Sequence, residues 1–237
     1  MNYIFLVAGK GTRMQPLTQN YPKTLFKLNS STTVLDQMTK MIRANDPEAR
    51  IVAVTGFMHE AIEEHIHGVE FVSNPFYAVT NSLASLWFAR DYLDDASIII
   101  NGDVLVSENM MKEVVASVPT RPEVLLDSSI KCDGDYNVEV IDDRVVVMSK
   151  GLKSYYGEFV GITKIDKHSI GLLKSEIDIM IHNEQYDQWY EDALIQMVFE
   201  RDFALYYQDV CDYDWTEIDD VNDLLHARKI FKNSISH

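Results

Sequence analysis

Leu6-Val7-Ala8-Gly9-Lys10-Gly11-Thr12-Arg13-Met14-Gln15-Pro16-Leu17-Thr18, followed by Tyr21-Pro22-Lys23-Thr24-Leu25, is the stretch on which the reading of this chain turns. An apolar run, Tyr3 to Ala8, reads as a buried strand and leads into two glycines flanking a lysine. Glycine lets a backbone turn sharply and approach a ligand closely. The amides freed by such a turn form a concave nest for anionic oxygens. Arg13 follows at once and Lys23 ten residues after it, one a planar fork and the other a compact charge. The plainest ligand for this arrangement is a nucleoside triphosphate. The loop is not a Walker A motif, which has four residues between its glycines and ends in Lys-Ser/Thr. Nor is it the dinucleotide fingerprint, since no third glycine stands at the required place.

Outward from the loop, short apolar runs alternate with helical patterns. Val34, Leu35, Met38, Met41 and Ile42 share one helix face. Ile51–Thr55 reads as a strand, Met58–Ile66 as a short helix and Val69–Val72 as a third strand. Asn81 can cap a helix running to Leu93, and Ala96–Ile100 is a strongly β-branched strand ending at Asn101-Gly102-Asp103. This β-α-β-α order predicts an α/β fold with a mostly parallel sheet covered on both faces. Later come Val138–Ile141 and Arg144–Met148 around an Asp142-Asp143 turn, a strand over Glu158–Ile165, and helices near Lys167–Ile181 and Tyr190–Glu200. A late strand over Phe203–Tyr207 and a helix from Asp220 to Phe231 close the pattern. Without repeats or a linker-like stretch, one domain spanning 1–237 is expected, its nucleotide-binding half about 1–115 and its acceptor-binding half about 116–237.

The 237 residues carry a formal net charge of −16. Such a balance repels nucleic acid and anionic membrane surfaces, so neither is expected as a partner. A local basic loop and a divalent cation are then needed to hold a polyphosphate, and a cationic group on a second substrate suits the acidic field. No run is long and apolar enough for a membrane span, and the N-terminus does not look like a signal peptide. Cys132 and Cys211 are far apart and not in metal-ligand spacing. These features lead to the expectation of a reduced, cytoplasmic protein, and they are compatible with a homodimer.

Ligands in open α/β sheets lie outside the carboxyl ends of the strands. Asp103 stands just past such an end, where a carboxylate suits Mg²⁺ beside substrate phosphates if strands one and four are neighbours. A simple turn aspartate is the plainer alternative. The seven histidines show no zinc-site spacing, and no Gly-x-Ser-x-Gly elbow occurs.

The string from Gly9 through Thr18 to Pro22-Lys23 resembles the entry loop of the nucleotidyltransferases that make activated sugars and alcohols. Thr216-Glu217-Ile218-Asp219-Asp220 resembles the acidic string before the last helix of that family. The resemblance implies a three-layer, Rossmann-like (doubly wound) mixed sheet with additional antiparallel strands in the second half, Mg²⁺ as cofactor, and release of pyrophosphate. It implies that the Ala8, Gly9 and Gly11 backbone holds base and phosphates, with Leu6, Thr12, Asn81, Ser82 and Asp103 in the same nucleotide-binding set. Arg13 would take the pyrophosphate, and Lys23 the α-phosphate or the incoming phosphate. Asp219 would join Asp103 on the metal, with Glu217 a less favoured ligand. Asp219 as part of a helix cap stays open beside that reading.

The chain looks most like the small cytidylyltransferases acting on phosphocholine, 2-aminoethylphosphonate and similar phosphorylated amines. Asn74-Pro75-Phe76-Tyr77, Asn81-Ser82-Leu83-Ala84-Ser85-Leu86-Trp87 and Trp189-Tyr190-Glu191-Asp192-Ala193 carry that likeness. It implies CTP as the favoured nucleotide and a small phosphorylated acceptor. Lys150 or Lys153 would contact the acceptor phosphate, with Glu158 on the same side. Trp189, Tyr190, Glu191, Asp192 and Trp215 could hold an amine through aromatic faces and carboxylates. The plainer alternative has Trp189 and Tyr190 packing a helix start and Asp192 favouring its dipole. The rivals are a sugar-1-phosphate nucleotidyltransferase using UTP, dTTP or GTP, a non-catalytic nucleotide-binding regulatory subunit, and a glycosyltransferase.

Overall fold

The structure is a computed structural model that describes residues 1–130 and 136–235. Its centre is a nine-stranded sheet. The first strand, β1 (Asn2–Val7), pairs in parallel with β2 (Arg50–Thr55) on one side and β4 (Ser97–Asn101) on the other, and β3 (Glu70–Ser73) extends it beyond β2. Beyond β4 the sheet turns mixed. Strand β9 (Gly157–Ile165) runs antiparallel to both β4 and β6 (Glu123–Asp127). Then follow β10 (Tyr206–Asp209), β8 (Arg144–Ser149) and β7 (Asn137–Ile141). A separate two-stranded ribbon joins β5 (Val104–Val106) to β11 (Trp215–Glu217).

Alternation along the central strands explains why both faces are covered. Tyr3, Phe5 and Val7 enter one core and Ile4 the other; Ile98 and Ile100 part from Ile99 in the same way. On the first face lie α1 (Val34–Asn45), α2 (His59–His65), α4 (Glu108–Met110, running on into a π-helical turn) and α7 (Val221–Ile235). On the second lie α3 (Ser82–Phe88), α5 (Ile170–His182) and α6 (Tyr190–Arg201). The chain runs from β1 outward to β2 and β3 and returns on the other side to β4, so the strand order reverses between β1 and β4 and a crevice opens outside their carboxyl ends.

Several expected elements shift. The helix capped by Asn81 stops at Phe88 rather than Leu93. Arg90 closes it by donating to the Trp87 carbonyl at 3.0 Å and stacking on the Trp87 ring at 3.9 Å. Strand β10 starts at Tyr206, because Phe203 and Leu205 are used to pack the second core. The fifth helix begins at Ile170 after Asp166 accepts the His168 amide in a turn. Strands β5, β6 and β11 are absent from the sequence reading: β5 and β11 are three residues long, too short to show a period, and in β6 only Val124, Leu125 and Leu126 are apolar. Among the described residues no helix is long and apolar enough to cross a membrane. Cys211 is an exposed free thiol, and Cys132 lies outside the described residues.

Candidate active site

The Gly9–Arg13 loop leaves β1 where Gly102 leaves β4. These two segments touch: Gly102 N–H donates to the Leu6 carbonyl at 3.0 Å, and a Cβ at Gly102 would lie 2.6 Å from Val7 Cγ1. Only glycine permits that approach. Gly11 adopts the left-handed conformation (φ 59°) and its carbonyl accepts from Thr18 Oγ1 at 2.6 Å, which closes the loop on itself. Asp103 is thereby set directly beside the loop.

Lys23 joins the two. Its Nζ lies 2.9 Å from Asp103 Oδ2 and 2.6 Å from Asp219 Oδ1, and Arg13 Nη2 meets the same Asp219 oxygen at 2.9 Å. Burial works against the Lys23 charge, but Asp103 and Asp219 outweigh it and hold the ammonium above the ordinary lysine range. Burial pushes the Asp219 carboxyl upward although Lys23 and Arg13 sit against it, and Asp103 adds to that push. Glu217 completes the group: one carboxylate oxygen each from Asp103, Glu217 and Asp219 lies within 4.8 Å of the others. The β5–β11 ribbon makes this meeting, pairing Glu217 with Val104, and Ile218 N–H donates to the Asp103 carbonyl at 3.0 Å. Asp219 is not a helix cap by its side chain; its own N–H and that of Asp220 donate to Asp223, and Asp220 Oδ1 accepts from Asn222 and Asp223.

These acids fit a hard divalent cation. All three donors are carboxylate oxygens, as Mg²⁺ prefers, and Asp103 Oδ1 is buried with no hydrogen-bond partner. An unpartnered buried carboxylate oxygen is costly unless something is meant to meet it.

Beside the loop is a cavity of about 330 Å³. Leu6, Ala8, Gly9, Gly11, Thr12 and Arg13 line one wall with Lys23 and Asp103, and Asn81 and Ser82 another. Asn81 Oδ1 accepts from the Ser82 amide, and Ser82 Oγ accepts from the Tyr190 amide at 2.9 Å, tying the starts of α3 and α6 together. The far wall is aromatic. Tyr136 meets Phe159 and Trp189 edge-on at 6.5 and 6.2 Å, and Lys150 Nζ sits 4.6 Å over the Trp189 ring. Glu191 opens onto the same space although it is only 3% exposed. Burial above all, then the charges of Asp192 and Asp103, push its carboxyl up to about 8 against a hydrogen bond from Asn101. Its Oε2 is buried without a partner.

Other residues named from the sequence stand elsewhere. Tyr190 is fully buried in the second core, its hydroxyl 3.1 Å from Thr163 Oγ1. Trp215 lies on β11 with its indole N–H donated to Asp127 at 2.8 Å. Lys153 and Glu158 are not among the residues around the cavity. Asp192 stands behind the wall: one oxygen accepts the Trp189 amide at 3.0 Å and the other the Tyr136 hydroxyl at 2.7 Å. It positions two rings of the wall. Asn101, Tyr136 and Phe159 were not singled out from the sequence. They come from strand ends and a strand interior whose convergence is set by sheet order, and nothing local marks them.

Comparison with known proteins bears on the family and the fold. The profile of the family described as Nucleotidyl transferase matches residues 2–126. A 2-aminoethylphosphonate cytidylyltransferase of Lancefieldella rimae is 32% identical over 111 residues, 45% of this chain and 44% of that protein. A choline-phosphate cytidylyltransferase of Streptococcus pneumoniae is 26% identical over 98% of this chain and 99% of its own length. Among solved structures, the CTP:phosphocholine cytidylyltransferase from Streptococcus pneumoniae superposes with a TM-score of 0.79 at 22% identity, covering 97% of this chain and 98% of that one.

Proposed function

Because the chain belongs to the nucleotidyl transferase family, we propose that it transfers CMP from CTP to a small phosphorylated or phosphonylated amine and releases pyrophosphate, using Mg²⁺. The observation that carries this reading is the cavity itself. A phosphate cradle and three clustered carboxylates stand on one side, and an aromatic wall with a buried glutamate on the other.

The acceptor's phosphate or phosphonate oxygen attacks the α-phosphorus of CTP, and the bond to the β,γ-pyrophosphate breaks. A phosphomonoester has its second pKa near ~6 and is already largely dianionic at neutral pH, so no strong base is required. Catalysis then rests on alignment and on offsetting charge between two anions. The loop amides from Ala8 to Gly11 orient the triphosphate, Arg13 takes the leaving pyrophosphate, and Lys23 meets the reacting phosphates. Asp103 and Asp219, with Glu217 beside them, would hold the Mg²⁺, which when bound would supply charge neutralisation at the phosphate oxygens.

The aromatic wall together with the Glu191 carboxyl suits an amine. An ammonium is drawn to aromatic faces and to a carboxylate, and Lys150 already demonstrates the first attraction by stacking on Trp189. Glu191 supplies the carboxylate. With a cationic acceptor over Trp189, Lys150 would be free to turn to its phosphate.

A matrix of nucleotides against acceptors, read as pyrophosphate release with Mg²⁺, tests this directly. CTP with phosphocholine or 2-aminoethylphosphonate should give the fastest release. Turnover only with a sugar 1-phosphate and UTP, dTTP or GTP would replace the acceptor and nucleotide reading. No release with any pair would leave a nucleotide-binding protein without catalysis.

A further inference from the structure

We propose that Lys23 holds the divalent-cation position in the ligand-free protein and must leave it before a metal ion can bind, so that one side chain links metal entry to triphosphate binding. The inference rests on the reading that Asp103 and Asp219 are the metal ligands.

Three observations carry it. First, the Lys23 ammonium bridges those two carboxylates at 2.9 and 2.6 Å, and its side chain is only 10% exposed. Second, Asp219 Oδ1 already carries two cations, since Arg13 Nη2 meets it at 2.9 Å. Mg²⁺ binds carboxylate oxygens at about 2.0–2.1 Å, so an ion on both aspartates would stand in contact with an ammonium left in place. Like charges at such separation repel strongly in a partly buried site. Third, the Lys23 stem runs along the glycine loop: the place a Cβ would take at Gly11 lies 3.4 Å from its Cβ and Cδ. An ammonium that leaves the carboxylates therefore stays beside the loop amides, where phosphate oxygens would receive it. Phosphate draws Lys23 off the acids, the vacated oxygens accept the ion, and the linkage is reciprocal.

The test is Mn²⁺ binding to the nucleotide-free protein, followed by the electron paramagnetic resonance of free Mn²⁺, in wild type and Lys23→Met. The methionine keeps the apolar stem and removes the charge. The variant should bind Mn²⁺ on the order of tenfold more tightly, within the usual size of such couplings. Equal or weaker binding by a folded Lys23→Met overturns the inference alone. Absence of Mn²⁺ binding in both proteins overturns the metal site and the inference with it. A second measurement needs no variant: Mg²⁺ added to wild type should shift the ¹⁵Nζ resonance of Lys23 with the midpoint of metal binding. A resonance unmoved at saturation overturns the inference.

Discussion

Replacing Asp103 by alanine is expected to lower turnover by about a thousandfold or more, on the order of 4 kcal/mol in the barrier, while the protein stays folded. The loss follows from position. Asp103 is placed against the phosphate cradle by the contact of Gly102 with β1, and Oδ1 is buried with nothing to meet it. The fold should survive because the backbone contacts of this segment, Gly102 to Leu6 and Ile218 to Asp103, do not use the carboxylate. Lys23 keeps Asp219 as a partner, and removing one of three crowded acids relieves repulsion. Asp103→Asn keeps the shape and should lose nearly as much, which separates charge from packing. Pyrophosphate release at saturating CTP, acceptor and Mg²⁺, set beside a thermal melt, decides the matter. Near wild-type turnover in folded Asp103→Ala would rule out its metal role.

The first half of this chain is legible because its information is local. The glycine loop, the Asn81 cap and the β-branched run of β4 each declare themselves within a few residues, and β-α-β-α order then constrains how the strands join. The adjacency of β1 and β4, from which the position of Asp103 follows, could be stated in advance as a condition, and the pairing of Asn2–Leu6 with Ser97–Asn101 meets it. The second half depends on which strands cross. Phe159 faces the cavity because β9 is inserted between β4 and β6, and Tyr136 because Asp192 holds its hydroxyl from another element. Sequence proximity also misleads there. Trp189, Tyr190, Glu191 and Asp192 are consecutive, yet helical geometry sends them different ways. Trp189 and Glu191 reach the cavity, Tyr190 enters the core, and Asp192 turns back to cap the helix. Trp215 reads from the sequence as a ligand-binding aromatic, whereas its ring packs in the first core and its N–H is donated to Asp127.

Glu191 gives the second large effect, and its sign can be worked out. The carboxyl is pushed up to about 8, chiefly by burial, so before an acceptor binds at pH 7 its neutral form predominates. A cationic acceptor is attracted by the ionised form, so its binding releases a proton. The KM for phosphocholine, whose ammonium does not titrate, should therefore fall about tenfold between pH 7 and pH 9. Glu191→Gln should abolish that dependence and leave a raised, flat KM, with kcat changed less. Stability moves the other way. The folded-state pKa lies above the ordinary value of 4.5, so the stability tied to the neutral form is complete below pH 4.5 and is lost as pH rises to about 8. Glutamine can keep a hydrogen bond with Asn101 and carries no charge. At pH 8 the ligand-free variant should consequently melt higher than wild type while binding the acceptor more weakly. A glutamate kept for packing alone would give unchanged acceptor affinity in Glu191→Gln and no slope of KM with pH.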